Sequence, residues 1–235
     1  MLLDVKDLEV AYGDYQVVWG VSLSVAAGES VALLGPNGSG KSTVVNTISG
    51  LLPAKAGDIL FEGISLVGRP THARASLGIA HVLERRRVFP HLTILQNLTL
   101  GAWHPAAKAA RSRSMDRVFS LFPRLSERKG QLARTLSGGE QQMLALGRGL
   151  MALPRLLMVD EPFLGLAPQV IEQMKAVFET LKAEGMAILF IEQNVRLALS
   201  MVGRGYILES GRLAIDGPAA SLMNSPEVRR IFLGA

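Results

Sequence analysis

GPNGSGKST, residues 35–43, is the stretch of sequence on which the interpretation of the fold depends. A short apolar run, SVALL at 30–34, precedes it, and apolar residues at helical spacing follow it as far as Gly50. That order predicts a buried strand, a glycine-rich turn and a helix that ends at Gly50. The glycines let several backbone N–H groups point into one concavity at the positive end of the helix dipole. The stretch therefore predicts a phosphate-binding P-loop.

The side chains of this loop complete a predicted nucleotide site. Lys41 can reach β- and γ-phosphate oxygens, the Ser42 hydroxyl can ligate Mg²⁺, and Thr43 can donate to a phosphate. The alternative, a glycine-rich turn with an exposed lysine, does not account for the strand before it and the helix after it. The predicted nucleotide-binding residues of the loop are Gly35, Pro36, Asn37, Gly38, Ser39, Gly40, Lys41, Ser42 and Thr43.

Composition limits the possible classes of protein. The chain has 235 residues, 49% of them hydrophobic, which is enough for a sizeable core and argues against global disorder. It has no cysteine, so a disulfide framework and a thiolate metal site are excluded. The start of the chain, MLLDVKDLEV, carries acids inside its apolar stretch, and we do not expect a signal peptide. No uncharged apolar run reaches the length of a membrane span.

The net charge of +5 does not identify a partner by itself. Nucleic-acid-binding proteins usually concentrate basic residues in one stripe, whereas the dense basic cluster here is confined to residues 85–87. A modest basic excess also suits nucleotide binding or contact with anionic lipid. We therefore expect no nucleic-acid partner.

The order of predicted elements indicates an α/β fold. Alternating apolar residues in 2–10 and 21–25, and a hairpin in 57–66, predict an antiparallel β subdomain. Strands then alternate with helices, which predicts a mostly parallel core sheet. A stretch of helical pattern at about 90–153 interrupts this alternation and predicts an inserted helical subdomain within one domain, 1–235. Helices are predicted there at 93–100, 106–122 and 139–151, with breaks at Pro105 and Pro123.

A second chemical stretch, LLMVDE at 156–161, is an apolar strand that ends in two acids. Ligands of open α/β sheets bind at the carboxyl ends of the strands. Asp160 is the candidate to hold Mg²⁺, and Glu161 the candidate to polarise an attacking water. The alternative is a solvated pair of acids, which is a weaker explanation beside a P-loop.

The third stretch, LSGGEQQ at 136–142, has the spacing of a capping box between Ser137 and Glu140. A capped helix start is the simplest interpretation. The two glycines also bare the first N–H groups of that helix, which predicts a second preformed anion site.

A P-loop, LSGGE and a strand ending in Asp-Glu, in this order, resemble the ATPase subunits of ABC transporters over the whole chain. More narrowly, the chain resembles the LivF-type ATPases of branched-chain amino acid importers. The segments that carry this narrower resemblance are AHVLERRRVFPHLT (80–93), LFPRLSER (121–128), LSGGEQQMLALGR (136–148), DEPFLGLAP (160–168) and IEQN (191–194).

The resemblance implies ATP and Mg²⁺ as ligands and a P-loop NTPase fold of the ABC ATPase type. It implies that Tyr12, by itself an ordinary turn aromatic, stacks on adenine. Glu84 stands where most members have a glutamine that senses Mg²⁺, and Gln193 where most have a histidine that contacts the γ-phosphate. The implied catalytic residues are Glu161, Gln193 and Glu84; the implied metal ligands are Ser42, Asp160 and Glu84; and Ser137, Gly138 and Gly139 are implied to bind nucleotide.

The resemblance also implies partners. Two ATPase subunits, as a homodimer or a heterodimer, would pair head to tail, with Ser137 to Gly139 of one closing on the γ-phosphate held by the other. The pair would lie peripherally on the cytoplasmic face of the inner membrane, bound to two transmembrane permease subunits. A periplasmic substrate-binding protein would complete the system. The segment 79–101 would form the groove for a short cytoplasmic helix of the permease.

The replacements at Glu84 and Gln193 are typical of the LivF type, but three further residues also depart from the general family pattern. Leu83 and Arg85 stand where proline and glycine are expected, and loss of the glycine removes an unstrained position of positive φ. Phe163 stands where a small serine is usual, and a contact with a variant partner surface is one interpretation. The alternatives in function are import of urea or short-chain amides, a soluble ABC ATPase of translation or DNA repair, and a non-hydrolysing nucleotide-binding module.

Overall fold

The computed structural model describes residues 1–233. The strands are β1 (Leu3–Tyr12), β2 (Tyr15–Val25), β3 (Ser30–Leu34), β4 (Ala56–Phe61), β5 (Ile64–Ser65), β6 (Ile79–Val82), β7 (Leu156–Asp160), β8 (Ala187–Glu192), β9 (Arg204–Glu209) and β10 (Arg212–Pro218). The helices are α1 (Lys41–Ser49), α2 (Thr71–Ser76), α3 (Ile94–Gly101), α4 (Pro105–Ala109), α5 (Arg111–Leu121), α6 (Pro123–Glu127), α7 (Gly138–Leu150), α8 (Pro168–Ala183), α9 (Val195–Leu199), α10 (Ala219–Met223) and α11 (Pro226–Leu233), with a 3₁₀ turn at Ala133–Thr135.

The six-stranded core sheet has the order β10-β9-β3-β8-β7-β6. Its strands are parallel except for β10, which runs antiparallel to β9. Every residue of β3, β7 and β8 is buried, which is why these strands appear in the sequence as continuous apolar runs. Because the strands are parallel, the carboxyl ends of β3, β7 and β8 meet at one edge, as predicted.

The second sheet is antiparallel, with the order β2-β1-β4-β5. Alternate residues of β1, including Leu3, Val5 and Val10, are buried on its inner face. They belong to the same apolar cluster as Val45 and Ile48 of α1. The antiparallel sheet therefore covers the face of α1 that the core sheet does not.

The helical stretch between β6 and β7 contains α3 to α7, but its internal boundaries differ from the predicted ones. The predicted helix 106–122 is divided at Ala110 into α4 and α5. Pro105 and Pro123 stand in the first turns of α4 and α6, so they begin helices rather than break them. Proline is tolerated in a first turn, because its missing N–H would have no partner inside the helix. Among the described residues, no helix is both long enough and apolar enough to cross a membrane.

Phe163 lies in the core, and its expected contact with a partner surface is therefore wrong. The side chain is 5% exposed, and its ring packs edge-on against Phe178 at 5.9 Å between centroids. Phe178 in turn packs against Phe190 at 4.8 Å. The aromatic ring fills the space between the loop after β7, helix α8 and strand β8, which a serine at this position would leave empty.

Candidate active site

The P-loop connects the carboxyl end of β3 to the first turn of α1. Gly38 and Gly40 adopt φ values of 78° and 103°, which favour glycine strongly over other residues. Gly40 is the N-cap of α1, and no side chain hydrogen-bonds to the first N–H groups of this helix. These donors are therefore available to an anion.

Lys41 is buried within the loop. Its Nζ donates to Gly35 O at 2.8 Å and to Pro36 O at 3.0 Å. Burial lowers the pKa of Lys41, while the carboxylates of Glu161 and Asp160 oppose this shift. The ammonium is thus held at the centre of the loop by backbone carbonyls.

Asp160 and Ser42 are in contact at the edge of the sheet, where both were predicted to hold Mg²⁺. Asp160 is buried, and its pKa is raised to about 6 by burial and by the nearby carboxylates of Glu161 and Glu84. The Lys41 ammonium and, to a smaller extent, the Ser42 hydroxyl lower the pKa of Asp160 and so oppose this rise. A buried carboxylate beside a hydroxyl, in a place where negative charge is destabilised, fits a divalent cation with oxygen ligands. Among the described residues, no group of three or more acidic or histidine side chains is placed to hold a metal ion by itself.

Gln193 donates a hydrogen bond from its side-chain Nε2 to Glu161 Oε1. The Glu161 backbone N–H donates to Ile191 O at 2.9 Å, and Glu161 has a left-handed φ of 45°. A positive φ in a residue other than glycine is a strained conformation that persists where the surroundings hold it. The structure therefore brings together the two residues predicted to activate and position a water.

One cavity of about 530 Å³ lies at this edge of the sheet. Lys41, Glu161 and Gln193 contribute to its wall, and so do Glu84 and Arg85 from the loop after β6. Most of the predicted P-loop residues therefore meet Glu161, Gln193 and Glu84 at one place. The residues that were also predicted for this site but do not line the cavity are Tyr12, Gly35, Pro36, Ser39 and Asp160.

Glu192 is a residue of this edge to which the sequence analysis assigned no role. It is 5% exposed and lies at the end of β8, and the Gln193 N–H donates to its Oε2 at 3.2 Å. Burial raises the pKa of Glu192 to about 7, and the nearby Glu161 adds to the rise. The signal available in the sequence was an acid at the end of a buried strand, directly before Gln193.

Tyr12 is the last residue of β1 rather than a loop residue. Its ring is half exposed, and its Oη lies 3.5 Å from Thr43 Oγ1. The structure therefore brings Tyr12 to the flank of the P-loop helix, next to the predicted phosphate site.

The start of α7 forms the predicted capping box. Ser137 Oγ accepts from Glu140 N at 3.3 Å, and Glu140 Oε2 accepts from Ser137 N at 2.9 Å. Ser137, Gly138 and Gly139 are not among the residues that line the P-loop cavity. The two predicted anion sites of the chain are therefore separate.

The loop after β6 keeps the conformation expected of a glycine although none is present. Arg85 and Arg86 have φ values of 64° and 58°. The Arg85 Nε lies 3.4 Å from Glu84 Oε1. Two successive residues other than glycine in this region store strain on the order of 1–3 kcal/mol each.

A second cavity, of about 500 Å³, lies outside the nucleotide site, and its wall includes residues of the segment 79–101. Phe89, Leu100 and Trp103 line it and are 41–49% exposed. Arg148 lines it as well, and its Nη1 is buried without a hydrogen-bond partner. We refer to this cavity as the apolar groove.

Comparisons with known proteins agree with this geometry. A protein-family model described as ABC transporter matches residues 18–164. The chain is 45% identical to the high-affinity branched-chain amino acid transport ATP-binding protein BraG of Pseudomonas aeruginosa, over 99% of this chain and 100% of that protein. It is 33% identical to the lipopolysaccharide export system ATP-binding protein LptB of Escherichia coli, over 99% and 97%. A solved structure of a nucleotide-free ATP-binding cassette from an ABC transporter superposes with a TM-score of 0.87 at 26% identity, covering 100% of this chain and 99% of that one.

Proposed function

This chain belongs to the ABC transporter family, and on that premise we propose that it is an ATP-binding and ATP-hydrolysing subunit that powers import of branched-chain amino acids. The observation that carries the ATPase proposal is the meeting of Lys41, Asp160, Glu161 and Gln193 at one edge of the sheet. The proposed substrate rests on the 45% identity to a relative named for branched-chain amino acid transport, across almost the whole of both chains.

The P-loop would bind the phosphates of ATP. Its free N–H groups at the start of α1 and the Lys41 ammonium supply positive charge on one side. Tyr12 flanks the same loop at Thr43 and would stack on the adenine. Ser42 and Asp160 would hold Mg²⁺, with Glu84 close to Asp160. The ion, when bound, would neutralise phosphate charge and orient the β- and γ-oxygens.

Glu161 would act as the general base for the attacking water, and Gln193 would position it. The amide of Gln193 donates to the Glu161 carboxylate and so fixes the direction of that carboxylate. Gln193 has no proton that titrates near neutrality, so the base role falls to Glu161.

Two such subunits would pair head to tail, as a homodimer or a heterodimer. The start of α7 lies outside its own P-loop cavity, and its Gly138 and Gly139 N–H groups are free of the capping box. That separation supports a role for Ser137 to Gly139 toward a γ-phosphate bound by another subunit.

The apolar groove would receive a short helix of a transmembrane permease. Its exposed aromatic and aliphatic side chains suit the apolar face of an amphipathic helix. Two permease subunits would place the ATPase pair on the cytoplasmic face of the inner membrane, and a periplasmic binding protein would deliver substrate.

The test is ATP hydrolysis and transport by the purified chain reconstituted with its permease subunits. We expect MgATP-dependent phosphate release and uptake of leucine, isoleucine or valine that depends on ATP. Release of phosphate together with uptake of urea, and no uptake of leucine, would replace the substrate proposal. Absence of phosphate release with permease present would contradict the ATPase proposal itself.

A further inference from the structure

Arg86 is a cation that the proposed ATPase site does not use. Its own P-loop cavity is lined by the neighbouring Arg85 instead. The Arg86 Nη2 donates to Gly165 O at 3.4 Å and lies 3.5 Å from Leu164 O, both in the loop after β7. The side chain thus crosses from the loop after β6 to a second loop that follows the catalytic acids.

The guanidinium of Arg86 also lies directly over the start of α7. A Cβ added at Gly138 would come within 2.7 Å of Arg86 Cζ, so any side chain at Gly138 would displace the arginine. The glycine of the LSGGE stretch therefore has a second consequence besides baring an N–H group. It lets a guanidinium approach the first turn of the helix.

This placement is electrostatically unfavourable within one subunit. The start of a helix carries partial positive charge, and a cation beside it is destabilising. Glu140, the acid of the first turn, is already engaged by Arg128 at 2.9 Å and by the Ser137 N–H. Among the ion pairs of the described residues, none includes Arg86.

We propose that Arg86 binds the γ-phosphate of an ATP molecule held by the P-loop of the second subunit, beside the Gly138 and Gly139 N–H groups. The inference rests on the proposed head-to-tail pair. The negatively charged γ-phosphate, placed between the start of α7 and the guanidinium, would replace their mutual repulsion with an attraction to each. The planar fork of arginine suits bidentate contact with phosphate oxygens. The left-handed φ of Arg86 is then part of the loop conformation that holds its side chain over the start of α7, at the surface of the proposed pair.

The experiment measures the ATP-dependent dimer of the full chain in a Glu161→Gln background, where hydrolysis does not dissolve it. We expect Arg86→Gln to raise the dissociation constant of the MgATP-bound dimer by roughly tenfold or more, because one charge-assisted contact is lost at each of its two ATP sites. Arg86→Lys should recover part of this loss. MgATP affinity of the isolated subunit, at low protein concentration, should stay within about twofold, since Arg86 lies outside its own pocket.

The control is Arg229→Ala, which removes the same charge from an exposed position on α11 and should leave the dimer unchanged. If Arg86→Gln dimerises as well as its parent, Arg86 only ties the two loops together and the inference is overturned, while the proposed pair stands. If Arg86→Gln loses MgATP affinity as an isolated subunit, the arginine serves its own pocket and the inference is also overturned. If the Glu161→Gln parent forms no dimer with MgATP, the proposed pair and this inference both fail.

Discussion

The two helix starts predicted to bind anions, those of α1 and α7, differ in their N-cap residues and in the side chains beside their first N–H groups. The N-cap of α1 is Gly40 and has no side-chain hydrogen bond, whereas the N-cap of α7 is Ser137 in a complete capping box. The start of α1 has Lys41 buried beside it, and the start of α7 is flanked by the partly exposed Arg86. The P-loop therefore has all it needs to bind phosphate within one chain. The start of α7 has its capping box complete without a ligand, and in the proposed pair its remaining donors would face the second subunit.

The largest effect is expected from a substitution that tests the chemistry of the P-loop site, at the start of α1. Glu161→Gln should lower turnover by about 10²–10⁴-fold, because the amide cannot accept a proton from water. MgATP affinity should be retained, and an ATP-bound dimer should accumulate. Phosphate release and sedimentation with MgATP measure both. Turnover close to the parent rate would mean that Glu161 is not the base.

Gln193→Ala should lower turnover by roughly 10²-fold with little change in MgATP affinity, since only a positioning hydrogen bond is lost. Gln193→His should add a titration near pH 6–7, about the reference range of imidazole, to the pH–rate profile. Gln173→Ala, at an exposed position on α8, is the control. Unchanged turnover and pH dependence in both Gln193 variants would make Gln193 a structural residue.

Lys41→Ala should weaken MgATP binding by roughly 10–100-fold or more, because charge-assisted contacts of this kind contribute about 1.5–3 kcal/mol each. Titration of the isolated subunit with MgATP measures the dissociation constant, and Lys129→Ala, an exposed lysine, is the control. An unchanged constant would place the phosphates elsewhere.

The carboxylates of the P-loop edge should make the nucleotide-free protein less stable at neutral pH. The folded-state pKa of Asp160, about 6, lies above its ordinary value of 3.8, so the folded state holds its proton more tightly. Stability should therefore fall as pH rises from about 4 to above 6, by about 1–3 kcal/mol from this group. Asp160→Asn should raise the unfolding temperature more at pH 7.5 than at pH 4.5. An equal rise at both pH values would contradict this.

The smallest effect on binding within one subunit is expected at the start of α7. Ser137→Arg should leave MgATP affinity of the isolated subunit within about twofold while preventing the dimer, because the added cation blocks the surface that meets the γ-phosphate. Reduced affinity in the isolated subunit would show that Ser137 belongs to its own P-loop pocket, and the contrast between the two helix starts would then disappear.

The sequence predicted those parts of the fold that are determined by a few consecutive residues. The helix after the P-loop ends at Gly50, which has a left-handed φ of 81°, and the buried strand before Glu161 ends at Asp160. Burial of Phe163 could not be predicted, because it depends on Phe178 and Phe190, which follow later in the chain. The boundary between α4 and α5 at Ala110 could not be predicted either, because neither proline nor glycine stands at that position.

The same distinction, between features with a local sequence signal and features that depend on tertiary contacts, applies to the candidate site. Its P-loop and strand-end acids have characteristic spacing, so they could be predicted from the sequence. The approach of Arg86 to Gly138 joins residues 52 positions apart (138 − 86), and it requires a left-handed arginine that residue preferences would not favour. Tertiary contacts of this kind leave no pattern in the sequence around either residue.

The aromatic contacts of Phe163 have a mechanical consequence. Its ring attaches the loop after Glu161 to α8, and Phe178 attaches α8 to β8 in the centre of the sheet. Each edge-to-face contact contributes about 0.5–1.5 kcal/mol beyond the area it buries, so independent motion of the loop would break contacts of that size. The loop after Glu161 is therefore anchored to the centre of the core sheet through the 16-residue helix α8, and a displacement of this loop is expected to displace α8 with it.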